Sequence, residues 1–517
     1  MGKQIETIIN KFDGGMVNDP RDPATNTCQV VSNFDVLTDV HRMLPYRSSE
    51  SGDSAPTTSQ KQNFLVALWG PSSVYRLFSL GVVSGTGRAE VLMKDVTTGG
   101  STDLGDGGWG TPANNQSASG ATSFNLFVYY KNKTTTGGRN FIFGAKPAVG
   151  IWAFTPDDST AFNESAYALV HTNSAQGLVH SKDDILYIPL DNKIHKKNGG
   201  TTASDNWSEA LVLPIDLYIT SICEYGNYLA IAMAPLNGIG NSRVFIWDRD
   251  SSLTTLADTI DWGTEKLQVI ETVDGVLVGV ALSGGNSTRF GDRIVFRYLS
   301  GSNAVKFQEF IAGNTLTNLP IAKQKANNRL YFMMNVSING ATREGVWSVG
   351  RNTPSSPFSI VHERTQNNDT AMVDGVLRNF FLLGDFMFIS YQSNAAFALS
   401  KTNDTATHTA TSIYESKIFN DGDNSLTKKL IGVTVMTEYL PTAGQVVLKY
   451  KLDQETTYTT IFTNTTDNSI SHSAVNIEST GITLPEYKEI SFRIESTGNA
   501  VITGFSYKSE VIGKRVY

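Results

Sequence analysis

The sequence predicts an all-β protein, with about seven four-stranded β-propeller blades followed by a small C-terminal β-sandwich. Short apolar β-type runs recur along the chain in groups of four. Turns of glycine, asparagine or aspartate join the first two runs of most groups. Charged residues make up only 18% of the 517 residues. Low charge together with many turn-forming residues argues against long surface helices and favours strands.

The repeat is clearest in the middle of the chain. There the runs 219–225 and 228–233 flank a Gly226-Asn227 turn, and a third run follows at 243–248. Asp274-Gly275 and Asn327-Asn328 occupy the same position in the next two copies, and "TSIYESKIF" is the fourth run of the last copy. The first runs of the seven copies begin near residues 63, 123, 176, 219, 267, 320 and 376. This period, with four strands in each copy, is typical of β-propeller blades.

Stacking explains why such a unit repeats. A single four-stranded sheet cannot bury both of its faces, whereas successive twisted sheets around an axis cover one another and leave only short edges. The two-residue turns supply the positive φ angles that a tight hairpin needs. Trp247-Asp248 does not indicate a WD40 blade, because the Gly-His pair of that family does not recur.

Two flanking regions complete the predicted organisation. Residues 1–50 form an irregular N-terminal arm, 51–420 form the propeller, and 428–517 form the sandwich, with the turn-rich segment 419–427 as linker. Alternating apolar and polar residues in "GQVVLKYKL" and "EISFRIES" predict strands with one buried face. The arm is expected either to pair with the edge of the last blade and complete the propeller or to add a strand to a neighbouring subunit. The second role is favoured for "TIINKF", while "QVVSNFDV" lies closer to the propeller.

Charge and cysteine content narrow the class of protein. The net charge is −7 and the isoelectric point about 5.6, so no global basic field attracts nucleic acid or anionic lipid. Cys28 and Cys223 form no CxxC pair and are interpreted as small core residues of a chain assembled in a reducing cytoplasm. We expect neither a signal peptide nor membrane insertion. The Asn-X-Ser/Thr sites reflect composition, and include Asn115, Asn163, Asn206 and Asn368.

Motifs for catalysis or metal binding are scarce. The histidines show no HxH or HExxH spacing, and no GxSxG or Walker motif occurs; the seven histidines are His41, His171, His180, His195, His362, His408 and His472. "GDGGWG" (105–110) matches GxGxxG without a surrounding βαβ unit and is interpreted as a flexible loop. The pairs Asp248/Asp250 and Asp421/Asp423 match calcium ligands, but turn-capping is the favoured role.

A sialidase-type Asp box is the nearest enzymatic signature. In "STDLGDGGW", Ser101, Asp103 and Gly105 fit the pattern, but Trp109 comes one residue late. Even complete Asp boxes are structural turns, so we predict that the protein is not an enzyme and assign no catalytic, cofactor or metal residue. Catalytic carboxylates for sugar hydrolysis would have to converge from different blades, which a sequence does not reveal.

The N-terminal arm carries several short motifs. They are an aromatic-Asp-Gly-Gly element at 12–15, Asp19-Pro20, "SNFDV" (32–36) and Leu44-Pro45. With them the arm resembles the start of tail nozzle and tail-tube-associated proteins of tailed bacteriophages. The resemblance implies a β-propeller body that assembles into a ring, and the C-terminal sandwich resembles small β-domains of phage tails. The best-known nozzle proteins of podophages are considerably longer, so the position within the tail stays open.

The expected function is therefore that of a virion structural protein. It would form a homo-oligomeric ring around the DNA channel of a phage tail, contact other tail proteins, and be assembled in the host cytoplasm. A net charge of −7 is consistent with a channel whose wall does not bind DNA electrostatically, so that the DNA passes through it. The alternative is a glycan- or receptor-binding tail fibre, in which loop aromatics such as Trp109, Trp207 and Trp262 stack on sugars.

Overall fold

The predicted all-β class is confirmed. The protein's structure is a computed structural model, and the residues that it describes contain strands and turns but no helix. Accordingly, no described segment is a long apolar helix of the kind that crosses a membrane. The described residues are 4–17, 19, 21, 26–46, 49–50, 64–69, 75–82, 88–96, 116–120, 125–131, 140–155, 163–252, 256–283, 293–313, 323–338, 341–365, 376–383, 386–393, 396–402, 411–422, 425–453, 455–475 and 483–514.

The N-terminal segment contributes short strands to several sheets. Its strands are β1 (Gln4–Ile9), β2 (Cys28–Ser32), β3 (Phe34–Asp35), β4 (Leu44–Pro45) and β5 (Ser49–Glu50). Only β3 and β4 pair with each other, through Phe34 with Pro45 and Asp35 with Leu44. The other three strands lie in sheets formed by distant parts of the chain.

Four antiparallel sheets of four strands follow, each with its strands in chain order. Their strands are β6 (Phe64–Trp69), β7 (Tyr75–Val82), β8 (Arg88–Val96) and β9 (Gln116–Gly120); β10 (Asn125–Lys131), β11 (Asn140–Lys146), β12 (Gly150–Phe154) and β13 (Asn163–Ala168); β14 (Leu178–Val179), β15 (Leu186–Leu190), β16 (Lys193–Lys197) and β17 (Trp207–Val212); β18 (Leu217–Tyr225), β19 (Tyr228–Pro235), β20 (Ser242–Trp247) and β21 (Asp258–Gly263).

The next eleven strands continue the pattern. They are β22 (Lys266–Val273), β23 (Val276–Ser283), β24 (Arg293–Ser300) and β25 (Asn303–Ala312); β26 (Lys323–Ala326), β27 (Arg329–Ile338), β28 (Ala341–Gly350) and β29 (Ser359–Thr365); β30 (Val376–Leu383), β31 (Phe386–Ser393) and β32 (Ala396–Thr402). A short pairing of β25 with β27 joins the fifth and sixth groups. In the seventh group, β5 from the N-terminal segment pairs with β32 and takes the fourth place.

Positive φ angles explain two of the hairpins that the sequence predicts. Asp274 and Gly275 have φ angles of 51° and 77°, and Asn327 and Asn328 have 47° and 57°. Both turns therefore have the two left-handed residues of a type I′ hairpin, whose twist matches that of the flanking strands. Gly384-Asp385, at which the sequence predicts a corresponding turn in the last repeat, lies outside the described residues.

The first strands of the seven groups lie against one another in chain order. Contacts join β6 with β10, β10 with β14, β18 with β22, β22 with β26 and β26 with β30, while β18 contacts β15 of the preceding sheet. The series also closes on itself, because β30 contacts β6. The first strands begin at residues 64, 125, 178, 217, 266, 323 and 376, within a few residues of the predicted starts.

Two further sheets contain the C-terminal part of the chain. Its strands are β33 (Ser412–Ser416), β34 (Leu426–Thr437), β35 (Gln445–Leu452), β36 (Thr459–Asn464), β37 (Ser471–Val475), β38 (Glu486–Tyr487), β39 (Ile490–Thr497) and β40 (Ile502–Lys514). One sheet has the order β1-β40-β34-β37, with β38 also paired to β34. The other strands, in the order β2-β33-β39-β35-β36, continue through the pairing of β2 with β29 into β22 to β29, and together they form one 13-stranded sheet. Apolar side chains of both sheets belong to one buried core, which also includes strands β22 to β29.

The N-terminal segment pairs within its own chain. Strand β1, which overlaps "TIINKF", pairs antiparallel with β40 from Gln4 with Glu510 to Ile9 with Phe505. Strand β2 lies between β29, in parallel, and β33, in antiparallel orientation. The arm is therefore integrated into the fold, and pairing of "TIINKF" with a neighbouring subunit would have to use the outer edge of β1.

The fourth run of the last repeat is also placed differently from the prediction. "TSIYESKIF" contains β33, which pairs with β2 and β39 in a C-terminal sheet and not with β32. The physical reason is competition for an edge, because β5 already occupies the outer edge of β32. The C-terminal body thus includes β1, β2 and β33 in addition to strands from 428–517.

Candidate assembly surfaces

The aspartate pairs that the sequence offers for calcium have other roles. The N–H of Asp250 donates to Asp248 Oδ1 at 3.0 Å, and the N–H and hydroxyl of Ser252 donate to Asp250 Oδ1 at 2.8 and 2.6 Å. This pair caps a local turn. Asp421 accepts hydrogen bonds from three hydroxyl groups, and its predicted partner Asp423 lies outside the described residues. No cluster of three or more potential metal ligands occurs within the described residues.

Two of the three tryptophans considered for sugar stacking pack inside the protein. Trp262 is fully buried, in contact with the core of the fourth and fifth sheets. Trp207 stacks on Tyr167 with ring centroids 5.5 Å apart, and the Lys197 ammonium lies 5.6 Å from its ring. Trp109 lies outside the described residues, as do "GDGGWG" and the Asp-box-like segment. Trp247 is also buried.

Most of the histidines are structural. His171, His180, His195, His362 and His472 are buried, His41 is exposed, and His408 lies outside the described residues. Burial lowers the pKa of His195 to about 4 and that of His362 to about 3, so both rings are neutral at pH 7. Both thiols are buried as well, and burial raises the pKa of Cys223 to about 12.

A buried polar cluster fixes the N-terminal segment to the sixth group of strands. Arg329 donates to Asp35 Oδ1 at 2.9 Å and to Glu363 Oε1 at 3.3 Å, and the hydroxyls of Tyr46 and Ser348 also donate to Glu363. Burial raises the pKa of Glu363, although the Arg329 cation opposes that change. The Arg329 cation binds both carboxylates, so the cluster serves as a structural junction.

The motif residues of the N-terminal segment lie at this same junction. A Cβ atom at Gly14 would lie 2.6 Å from the carbonyl oxygen of Asn26, and Gly15 has a φ of 66°, so both positions favour glycine. Asn33 has a φ of 63°, and its side-chain amide donates to the Thr411 carbonyl at 3.0 Å. These residues lie where the N-terminal segment packs against β29 and the segment before β33.

A second ionic contact joins the sixth group to the C-terminal sheets. Glu415 on β33 lies 3.5 Å from Arg343 on β28 and 3.4 Å from Arg493 on β39. The carboxylate is almost fully buried. Buried charges, as well as the shared apolar core, thus join β28 of the sixth group to β33 and β39.

Exposed apolar side chains concentrate on connections of the third and fourth sheets. Val170, Ile215 and Ile239 are 81%, 84% and 86% exposed, and Val212 and Leu236 are about half exposed. Hydrogen bonds bring these connections together, because the N–H of Leu236 donates to Asp216, that of Leu213 to Asn192, and that of Thr172 to Asp191. We call Val170, Val212, Ile215, Leu236 and Ile239 the loop patch.

A second exposed apolar group lies on the C-terminal sheets. Tyr439 is 74% exposed, and Met436 and Ile470 are also exposed. Thr437 donates its N–H to the Ile470 carbonyl at 3.0 Å, which places these residues side by side. We call Met436, Tyr439 and Ile470 the C-terminal patch. Contiguous patches of exposed apolar surface mark interaction sites, whereas single exposed apolar side chains are common on protein surfaces.

Sequence comparisons identify no relatives: no family model matches the chain, and no curated protein matches it. Similar solved structures include that of an exo-β-1,3-galactanase from Phanerochaete chrysosporium with galactose. Its sequence is 10% identical and its TM-score is 0.31, and the match covers 89% of this chain and 100% of that chain. A glycoside hydrolase has 9% identity and a TM-score of 0.25, covering 87% of this chain and 99% of that chain. YCF48 bound to D1 peptide has 12% identity and a TM-score of 0.40, covering 70% of this chain and 97% of that chain.

The comparisons contradict the expectation that the chain is not an enzyme. The galactanase and the glycoside hydrolase are both enzymes, so the absence of sequence motifs is not a basis for excluding activity. At 9 to 12% identity, none of these structures assigns an activity, a ligand or a partner to this chain.

Proposed function

We propose that the protein is a ring-forming structural component of a bacteriophage tail, nozzle- or adaptor-like, located around the DNA channel of the virion. In this proposal residues 64–402 form a seven-bladed β-propeller, and the two C-terminal sheets form a β-sandwich. Copies of the chain contact one another in the ring and also contact other tail proteins. The phage role rests on the resemblance of the N-terminal segment described above.

The order of the sheets supports the propeller. Seven groups of strands follow one another in chain order, and contacts between their first strands close from β30 to β6. In the seventh group β5 pairs with β32, so that the start of the chain joins its last repeat. Such a link between the ends of the repeat would resist opening of the circle.

The N-terminal segment supports the resemblance. Gly14, Gly15 and Asn33 belong to the motifs that resemble phage tail proteins, and each occupies a position with a specific backbone or close-packing requirement. The segment also carries Asp35, which binds Arg329 of the sixth group. The motif residues thus all help to position the N-terminal segment where it contacts the sixth group of strands.

The observation that carries the ring is the presence of exposed apolar side chains at two different places on one chain. A monomer would leave both the loop patch and the C-terminal patch in water, at an energetic cost. Contacts between unlike patches are heterologous, and heterologous contacts that close generate rings. A protein with two such patches is therefore suited to repeated self-association.

The oligomeric state tests this proposal. Size-exclusion chromatography with light scattering, performed on the purified full chain over a range of concentrations, should give a discrete multiple of 56.3 kDa. The variant Ile215→Asp/Ile239→Asp should weaken that assembly while the circular dichroism spectrum stays β-type. Lys193→Asp, at an exposed position of the same sheet, serves as the matched control. A monomer at all concentrations, without other tail proteins or ligand, would contradict the proposal.

A further inference from the structure

The C-terminal sheet β1-β40-β34-β37 has an unpaired strand at each end of this path. Strand β1 pairs with β40 alone, and β37 pairs with β34 alone, among the residues that the structure describes. Unpaired edge strands present a row of free backbone N–H and C=O groups that another strand can bind. The two edges are different in sequence, "QIETII" and "SHSAV".

Both edge strands are short, and neither contains lysine, proline or a bulge. Natural edge strands are protected by lysine, proline or bulges. Strand β1 contains one charged residue, Glu6, and β37 contains none apart from the buried His472. Ile8 is 57% exposed and Val475 is 47% exposed, so each edge instead carries a large apolar side chain in water.

Ile8 and Val475 lie on the same face of the sheet. Ile8 is opposite Ser506, Ser506 is opposite Thr434, and Thr434 is opposite Ser473, which precedes Val475 by two residues. Directly opposed residues, and residues two apart in a strand, point to one face.

Strand direction favours a head-to-tail junction. All pairs along β1-β40-β34-β37 are antiparallel, so β1 and β37 run in opposite directions. If the sheet continues into a second copy, β37 of one copy meets β1 of the next in antiparallel orientation, with the same face outward. The lengths also match, with six residues in β1 and five in β37.

We propose that β37 of one copy pairs with β1 of the next copy, so that the C-terminal sheets continue from subunit to subunit. The inference rests on the proposed ring and specifies one of its contacts. A junction between two different edges is heterologous and repeats until the ring closes. Pairing of β1 with β1, by contrast, would use a twofold axis and give a closed dimer at that edge.

Cysteine cross-linking tests the junction. The native Cys28 and Cys223 are each 1% exposed, so a maleimide should react only with cysteines introduced at the surface. Within one chain, β1 and β37 are separated by three strand spacings, about 14 Å. A bismaleimide shorter than that gap therefore joins them only between copies. The variants are Ile8→Cys, Val475→Cys and the double variant, with Ser473→Cys as a second choice on β37.

The double variant should give a ladder of covalent multimers, and a mixture of the two single variants should give covalent dimers. Each single variant alone should stay uncross-linked, and circular dichroism should show that all variants keep the β-type spectrum. Cross-linking of Ile8→Cys alone would overturn the proposal in favour of a twofold contact. Rings without any cross-link between the two positions would overturn the β1–β37 junction but leave the proposed function intact. Monomers throughout would contradict both.

Discussion

The guanidinium of Arg329 lies 3.3 Å from the carboxylate of Glu363, and both side chains are buried where the N-terminal segment meets the sixth group of strands. Asp35 accepts a second hydrogen bond from the same guanidinium at 2.9 Å. Two carboxylates thus share one cation in the interior. The N-terminal segment is consequently held by a contact whose strength depends on every member of the cluster.

Replacing Arg329 with alanine should destabilise the protein strongly. The change would leave Glu363 buried without its cation, and loss of one partner of a buried ion pair costs about 3–5 kcal/mol. Urea unfolding would measure the difference. Lys193→Ala is the matched control, because Lys193 and Glu209 form an exposed pair that is worth less than about 1 kcal/mol. Equal losses in the two variants would contradict a structural role for the cluster.

Acidification should destabilise the protein in part through His195. Burial lowers the pKa of His195 to about 4 in the folded protein, so the neutral ring is favoured by folding. The unfolded chain takes up the proton near pH 6.5, and this contribution to stability is therefore lost as the pH falls from 6.5 toward 4. Between pH 7.5 and 5 the loss from this residue is about 2 kcal/mol.

Comparison with His195→Gln isolates that contribution. Burial raises the pKa of Glu363, so this carboxyl changes stability with pH in the opposite direction. Urea unfolding of both proteins at pH 7.5 and 5 should show a smaller pH-dependent loss in the variant. Identical pH dependence would mean that His195 is not kept neutral by the fold.

A chelator should leave the melting temperature nearly unchanged, while Asp421→Ala should lower it. Asp421 accepts hydrogen bonds from Tyr487 at 2.8 Å, Tyr507 at 2.5 Å and Ser509 at 3.0 Å, so its loss leaves buried hydroxyls without an acceptor. The expected cost is about 1–3 kcal/mol. Asp248→Ala, in an exposed turn, is the control. A large decrease on addition of EDTA would reopen the calcium hypothesis.

Deleting residues 1–14 should destabilise the C-terminal sheets. Ile9 and Phe12 are buried in the shared core, and the ring of Phe12 lies 5.7 Å from that of Tyr414. The deletion also removes β1 from β40. The sequence suggested that "TIINKF" adds a strand to a neighbouring subunit, whereas these contacts within the chain predict a lower melting temperature for the truncated protein. A truncated chain that melts like the full chain would show that the segment is needed only for assembly.

The repeated strands could be predicted from the sequence because the patterns that specify them are local. Apolar runs and positive-φ turns, such as Asp274-Gly275, specify hairpins within a few residues. The pairing partners of the edge strands could not be predicted from the sequence. Local pattern gives no reason for β5 to pair with β32, or for β33 to leave the last repeat, because these choices depend on which edges compete in three dimensions.

The candidate surfaces could not be predicted from the sequence either. Ile215, Ile239 and Tyr439 do not differ in pattern from residues that are buried, and only the fold reveals their exposure. Trp262 shows the converse, since it was offered as a loop aromatic and is buried. Burial of a single residue depends on its neighbours in space more than on its type.

Cryo-electron microscopy of the purified full chain tests the central claim most directly. The account predicts class averages of closed rings with rotational symmetry and an open centre, in which the C-terminal sheets of adjacent subunits are continuous. Single particles of monomer size, or open filaments with no closed form, would contradict it.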